Sequence, residues 1–248
     1  MKKSTFLNLL ILAVVTITGC DKEASKNESE FPLSGSNSWQ YITETDIDSS
    51  VSSFISYWQI INNSSINGIA VTKVSQRDSF TNTGAVRQAY SYYHQATDGL
   101  YGIASENSGS SFFFKTEEEN WPLMNSFPRS ANKTDSLFIP DTALYLLRYP
   151  VVLNDIWRSN EYGPGANTKR EWIGTETITT PAGTFTCDKL RIILDFNDNS
   201  IVDADEVTIV QHFSDKGLIQ EEQFRILTNL NGDTIPFHRL TRLTQINF

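Results

Sequence analysis

The sequence predicts a mainly β protein: an antiparallel meander that forms a curved sheet, a half-barrel or two related sub-sheets, with few or no long helices. Apolar and β-branched residues alternate with polar ones over much of residues 37–248. Turn signals such as Asn67-Gly68, Asp98-Gly99 and Asn231-Gly232 divide these runs at hairpin spacing. Prolines are spread through residues 116–168, and their density excludes long central strands and long helices there.

Strands are predicted in order along the first half of this region. Residues 39–43 alternate as a strand does, and residues 56–78 predict two strands that meet at an Asn/Ser/Gly turn. Residues 47–58 also carry apolar side chains at helical spacing, but their many Ser and β-branched residues favour a strand. A further short strand is predicted at residues 111–115, and a short helix at residues 140–148, where Pro140 suits the first helical turn.

The best-patterned stretch is residues 172–222. Residues 175–180 and 184–196 predict two strands joined by a tight turn at Pro181-Ala182-Gly183. Along the second strand the apolar residues change parity, which predicts a bulge near Asp188 or Lys189 that would place both sets in the core. In this arrangement Cys187 is a small core residue.

A faint internal repeat divides the domain into two halves, residues 37–115 and 150–248, joined by the proline-rich connector. Trp39 precedes Gly99 by 60 positions, and Trp157 precedes Gly217 by the same 60 positions. Two related meanders would explain this spacing. The features between these positions do not keep register, so chance is the alternative.

The N-terminus resembles a bacterial lipoprotein signal peptide. Lys2 and Lys3 precede an apolar segment, and Ile17-Thr18-Gly19-Cys20 matches the lipobox. The resemblance implies removal of residues 1–19, diacylglyceryl attachment to the Cys20 sulfur, and acylation, for example with palmitate, of the new amino group. The apolar segment is shorter than the roughly 20 residues that a membrane-spanning helix needs. We therefore expect a lipid anchor that holds the domain at a membrane without crossing it.

Residues 20–36 predict the lipidated cysteine and a flexible tether, because they carry few apolar side chains. An acidic residue next to Cys20 resembles an inner-membrane retention signal in enteric-type bacteria and a surface-display signal in other lineages. The Ser-, Thr-, Asn- and aromatic-rich style of the chain favours the second, hence the outer membrane, with its periplasmic or surface face left open. Loss of Lys2 and Lys3 changes the formal charge from −9 to −11, which argues against nucleic acid as a partner.

A family resemblance covers residues 149–222. The segments YPVVLNDIW, WIGTETITTPAGTFTCDKLRI and HFSDKGLIQEE resemble a family of exported bacterial β-domains of unknown function, whose shared hairpin has the Pro-Ala-Gly-Thr-Phe core seen at residues 181–185. The resemblance implies a β-rich fold and an exported location, but it supplies no catalytic residue. This chain departs from the family by an acidic segment at residues 195–206.

That acidic segment, DFNDNSIVDADE, resembles the twelve-residue calcium loop of EF-hands. Oxygen ligands at alternate positions suit calcium, which binds six to eight oxygens. Serine replaces the usual glycine at position 200, and β-type segments flank the loop where EF-hands have helices. A solvated acidic loop is the alternative. The predicted calcium ligands are Asp195, Asn197, Asn199, the Ile201 carbonyl, Asp203 and Glu206.

These patterns predict a lipid-anchored envelope protein that is a non-catalytic binding or structural module. No histidine pair, phosphate loop or nucleophile elbow occurs at a catalytic spacing. An alternative is a carrier that encloses a lipid or another apolar ligand, which the 15 Phe, 9 Tyr and 5 Trp residues suggest. A hydrolase is the third possibility. Calcium is the one candidate cofactor, and the identity of a protein or glycan partner in the envelope is left open.

Overall fold

The structure, a computed structural model, describes residues 30–47, 50–108, 137–139, 143–161, 167–195, 207–228 and 232–248. Within these ranges the chain forms β-strands and turns and contains no helix. The strands are β1 Ser38–Ile47, β2 Ser50–Ile66, β3 Ile69–Phe80, β4 Val86–Ala96, β5 Gly99–Ser108, β6 Leu137–Phe138, β7 Leu144–Arg148, β8 Ile156–Glu161, β9 Asn167–Thr180, β10 Gly183–Asp195, β11 Val207–Ser214, β12 Gly217–Thr228 and β13 Thr234–Asn247.

All of these strands belong to one antiparallel sheet, in the order β6-β5-β4-β3-β2-β1-β13-β12-β11-β10-β9-β8, with β7 paired to β5. Two meanders, β1 to β5 and β8 to β13, are joined where β1 pairs with β13. The predicted mainly β, antiparallel fold is therefore confirmed, and the two halves form one continuous sheet. Whether they arose by duplication stays a prediction.

The up-and-down order gives the sheet two distinct ends. The Phe31 end carries the start of β1, the turns at residues 67–68, 97–98, 181–182 and 215–216, the β7–β8 connection and Phe248. The Asp195 end is the opposite one, where β10 finishes at Asp195 and β11 begins at Val207.

Tryptophan side chains bring the two edges of the sheet together. Trp157 of β8 donates from its indole Nε1 to the carbonyl of Tyr145 in β7 at 3.0 Å, and Trp172 donates to the Arg148 carbonyl at 3.0 Å. An ion pair joins Arg148 to Asp155 at 3.0 Å across the β7–β8 connection. The two indole N–H groups thus occupy β7 carbonyls that could otherwise pair with another strand. With β7 and β8 in contact, the sheet is nearly closed.

The interior of this curved sheet is filled by large side chains. Trp39 and Leu190 are fully buried. They belong to one hydrophobic cluster that also includes buried residues of β1, β9 and β13: Tyr41, Trp172 and Leu243. Ring contacts link Trp157 to Trp172 at 6.0 Å and Trp172 to Phe213 at 6.4 Å. Burial of this apolar surface, at about 25 cal/mol per Å², is the main stabilising term of the fold.

The predicted Pro181-Ala182-Gly183 hairpin is confirmed. Residues 181–182 form the turn between β9 and β10, and Gly183 has a φ of 138°, which a residue with a Cβ rarely adopts. The register shift lies between Lys189 and Leu190, as predicted. The extra residue is nevertheless Ile173 on β9, because Lys189 pairs with Gly174 and Leu190 pairs with Trp172.

Two further expectations have clear outcomes. Residues 50–66 form strand β2, so the helical spacing at residues 47–58 did not decide the structure. The predicted helix at residues 140–148 is wrong in its described part, since residues 144–148 form β7. Leu144 and Leu147 are buried three positions apart as in a helix, but the pairing with β5 skips Leu146, which is a bulge. The strand predicted at residues 111–115 lies outside the described residues.

Candidate functional site: the Phe31 end and the buried polar network

Phe31 closes the interior of the sheet at one end. Its backbone N–H donates to the Tyr149 hydroxyl at 2.9 Å, and its ring lies 5.7 Å from Trp39 and 6.4 Å from Phe213. The sequence places Phe31 in the predicted tether, whereas the structure packs it in the core at 8% exposure. The chain that leads to Cys20 is therefore attached to the domain from Phe31 onward.

Trp39 joins three parts of this end. Its indole Nε1 donates to the Lys216 carbonyl at 2.7 Å, and the ring of Phe248 meets it edge-on at 6.1 Å. Gly217 has a φ of +95°, and a Cβ added there would lie 3.3 Å from the Trp39 Nε1. Glycine is required both by the backbone conformation and by the close approach of the indole.

The second tryptophan of the 60-residue repeat has a related place. Trp157 donates to the Tyr145 carbonyl, and a Cβ on Gly99 would overlap the Tyr145 ring. Trp39 of the first half thus contacts Gly217 of the second, while Trp157 of the second half shares Tyr145 with Gly99 of the first. Trp157 is linked to Gly99 only through Tyr145 of the connector, so the two tryptophan–glycine pairs are not equivalent, and the repeat stays a prediction.

A polar network crosses the interior face on four neighbouring strands. The Gln211 amide donates to Glu221 Oε2 at 2.7 Å, and Arg239 Nη2 donates to Glu221 Oε1 at 3.0 Å. Beside them the hydroxyls of Thr43 and Thr241 are 3.0 Å apart. The register places Gln211, Glu221, Thr241 and Thr43 opposite one another across β11, β12, β13 and β1, so they share one face. Each oxygen of this carboxylate has a donor, as a buried charge requires.

Two acidic groups near this network have raised pKa values. Burial raises the pKa of the Tyr41 hydroxyl well above its usual range, and this hydroxyl donates to the Leu218 carbonyl at 3.1 Å. Burial also raises the pKa of Asp78, although Ser56 and Gln76, the latter at 3.3 Å, both donate to its carboxylate and act in the opposite direction. Both groups act in this interior as hydrogen-bonding groups held in fixed positions.

Asp195, the first of the predicted calcium ligands, lies at the end of β10 and is 1% exposed. Its carboxylate accepts a hydrogen bond from the Lys169 ammonium of β9. Among the residues that the structure describes, no group of three or more His, Cys, Asp or Glu could hold a metal ion. The remaining predicted ligands lie outside the described residues: Asn197, Asn199, Ile201, Asp203 and Glu206.

Calcium binding therefore stays a prediction, with one new physical condition. The Lys169 ammonium already neutralises Asp195, so calcium must share this carboxylate or displace the ammonium. Titration of the mature protein with calcium is expected to give a saturable heat that Asp195→Asn removes. Lys169→Met is expected to tighten binding by about tenfold, because it removes a competing cation. Equal heats from the wild type and Asp195→Asn would contradict the site.

Cys187 is confirmed as a small core residue. It is 1% exposed, and its sulfur lies 3.7 Å from the Phe185 carbonyl. Burial raises the pKa of its thiol to about 12, with Asp188 and Glu176 adding to the effect. A thiol that remains protonated at neutral pH is a poor nucleophile.

The three histidines lie in separate places. His212 is buried, its Nε2 is 3.3 Å from Glu176 Oε2, and Lys189 donates to the same oxygen at 2.7 Å. Burial lowers the pKa of His212 against the opposing effect of Glu176. His94 bonds a backbone carbonyl of β3, and His238 bonds a carboxylate of β12. Each of these contacts holds a ring in place between strands.

Sequence reasoning missed Phe31, Glu221 and Arg239. Phe31 is the first aromatic residue after Cys20, and its position between a polar segment and the first strand was the available signal. Glu221 lies two positions after buried Ile219 on β12, and Arg239 lies two positions after buried Phe237 on β13. Strand alternation therefore predicts that both charged side chains face the core. Charged residues at core parity are the pattern that could have revealed the network.

Within its described residues the chain has no helix long and apolar enough to cross a membrane. No protein-family model matches the chain, and no curated protein sequence matches it either. The resemblance of residues 149–222 to an exported β-domain family therefore stays a prediction.

Two solved structures are similar to this chain. One is a protein from Bacteroides fragilis described as exported and as having a YMCC-like fold, with a TM-score of 0.43 and 14% identity, covering 88% of this chain and 99% of that chain. The other is a protein from Parabacteroides distasonis described as a lipoprotein, with a TM-score of 0.40 and 17% identity, covering 89% of this chain and 99% of that chain.

Proposed function

We propose that this chain is a lipid-anchored module of the bacterial cell envelope that binds or supports other envelope components without catalysis. The observation that carries the proposal is the position of Phe31 in the core at the Phe31 end. Ten residues separate it from Cys20, so a lipid on Cys20 would hold the domain within about 35 Å of the membrane. The outer membrane is the expected location.

The positions of the reactive side chains support a non-catalytic role. Cys187 is buried with a raised pKa, and each histidine is held by its own partner in a different part of the sheet. A hydrolase of the Cys–His or Ser–His type requires a nucleophile and a base within hydrogen-bonding distance. The described Cys187 and His212 have other hydrogen-bond partners, the Phe185 carbonyl and Glu176.

The anchor is tested by expressing the full chain in a Gram-negative host and isolating the N-terminal peptide from membranes. We expect a peptide that begins at Cys20 and carries the mass of acyl chains. Cys20→Ser is expected to abolish this mass and to release the protein from the membrane fraction. An unmodified Cys20, or equal membrane fractions for both proteins, would contradict the anchor.

A carrier of a lipid or another apolar ligand is the alternative function. The aromatic residues that suggest it pack on one another: Tyr41 contacts Trp58 at 5.1 Å, and Trp172 contacts both Trp157 and Phe213. Core packing thus accounts for these rings without a ligand. Native mass spectrometry of the purified protein separates the two functions, since a co-purified apolar molecule would favour the carrier.

A further inference from the structure

The Phe31 end exposes a set of large apolar side chains. Leu153 is 60% exposed, Val152 and Phe248 are each 52% exposed, and Ile61 and Ile69 are also exposed. Scattered apolar residues are ordinary on a protein surface, but these five lie at one end of the sheet. Their position relative to the N-terminal segment suggests a shared role.

Val152, Leu153 and Phe248 lie close to the point at which the chain enters the domain. Val152 and Leu153 follow Tyr149, whose hydroxyl accepts the Phe31 N–H. Phe248 packs edge-on against Trp39, which contacts Phe31. The two isoleucines stand on the β2–β3 hairpin, which extends beyond the start of β1: Ser38 pairs with Gln59, and β2 continues to Ile66.

We infer that the Phe31 end rests directly on the lipid surface that holds the Cys20 anchor, with these apolar side chains in the headgroup region. This inference depends on the proposed lipidation of Cys20. The ten-residue segment from 21 to 30 can extend to about 35 Å at most, and a relaxed chain is much shorter. The Phe31 end is thus the part of the described domain that this segment keeps nearest to the membrane, and the membrane is the surface that it meets most often.

The charge of the chain indicates what kind of contact this is. After removal of residues 1–19 the formal charge is −11, which disfavours attraction to anionic lipid, and Asp98 and Asp215 also lie at this end. Lys216, whose Nζ lies 5.0 Å above the Phe248 ring and 3.1 Å from Asp215, is the cation placed to reach a lipid phosphate. The contact is therefore mainly apolar and is insensitive to moderate salt.

Spin labels on the lipidated full-length protein test this orientation. In a Cys187→Ala background, Leu153→Cys and Ile69→Cys report on the Phe31 end. The controls Val51→Cys, at a site 71% exposed, and Ile226→Cys, 50% exposed, report on surfaces far from it. Ile226 lies nine residues along β12 from Gly217, about 30 Å along the strand. The host's acylated protein is reconstituted into vesicles of phosphatidylethanolamine and phosphatidylglycerol, and collision of each label with oxygen and with a nickel chelate is measured.

We expect a severalfold higher ratio of oxygen to nickel collisions at positions 153 and 69 than at 51 and 226, where the ratio stays that of water. The same labels on soluble Cys20→Ser protein supply the reference in water. Water-like ratios at all four positions of an acylated protein would overturn the docking but leave the anchor intact. Missing acyl chains, seen by mass spectrometry, would instead overturn the proposed function. Spin–spin coupling between copies through position 153 or 69 would assign this end to a dimer and also overturn the docking.

Discussion

Trp39→Ala is expected to lower the free energy of unfolding by about 3–5 kcal/mol, the usual cost of removing a fully buried aromatic side chain. Trp39 is 0% exposed, and it contacts Phe31, the Lys216 carbonyl and Phe248. The substitution thus removes one packing site shared by the N-terminal segment, the β11–β12 turn and the C-terminus. Urea unfolding, monitored by circular dichroism, should show a lower midpoint with an unchanged slope.

Trp39→Phe separates the ring from its hydrogen bond. The phenyl ring keeps much of the apolar contact but cannot donate to the Lys216 carbonyl, so a loss of about 1–2 kcal/mol is expected. A shift of about 2–4 °C in Tm per kcal/mol makes both variants distinguishable by heat unfolding. If Trp39→Ala lowers the free energy of unfolding by less than Trp39→Phe does, Trp39 does not connect the N-terminal segment, the β11–β12 turn and the C-terminus as described.

Much of the fold could be predicted from the sequence because strands and turns leave local signals. The Pro181-Ala182-Gly183 hairpin and the register shift after Lys189 follow from turn chemistry and from side-chain parity, both properties of neighbouring residues. The pairing of β1 with β13 has no such signal, because its partners, such as Thr43 and Thr241, are 198 positions apart. A single curved sheet, a half-barrel and two sub-sheets were therefore all compatible with the pattern.

The candidate site was less predictable for the same reason. Sequence motifs drew attention to Cys20 and to the acidic segment from Asp195, which are local patterns. The Phe31 end and the Glu221 network are assembled from residues far apart in the chain, and no single segment carries either of them. The helix wrongly predicted over Leu144 and Leu147 shows a further limit, since a bulge in a strand can produce helical spacing.

Glu221→Met is expected to lower the free energy of unfolding by about 3 kcal/mol, because it removes the carboxylate that accepts from both Arg239 and Gln211 inside the sheet. The pair is largely buried, with side-chain exposures of 12% for Arg239 and 18% for Glu221. The double variant Glu221→Met/Arg239→Met is expected to be more stable than Glu221→Met alone by about 1 kcal/mol or more, since the remaining charge is removed as well. A double-mutant cycle by urea unfolding measures this coupling.

The matched control for that cycle is the outer pair of Glu44 and Arg242, which joins β1 to β13 at 2.5 Å with both side chains more than 30% exposed. Water screens these charges, so Glu44→Met is expected to cost no more than about 1 kcal/mol, with little coupling to Arg242→Met. The difference between the two cycles isolates the effect of burial, because both pairs bridge neighbouring strands near β13. Additive losses at Glu221 and Arg239, within about 0.5 kcal/mol, would show that the interior pair is as well solvated as the outer one and that the sheet admits water at this level.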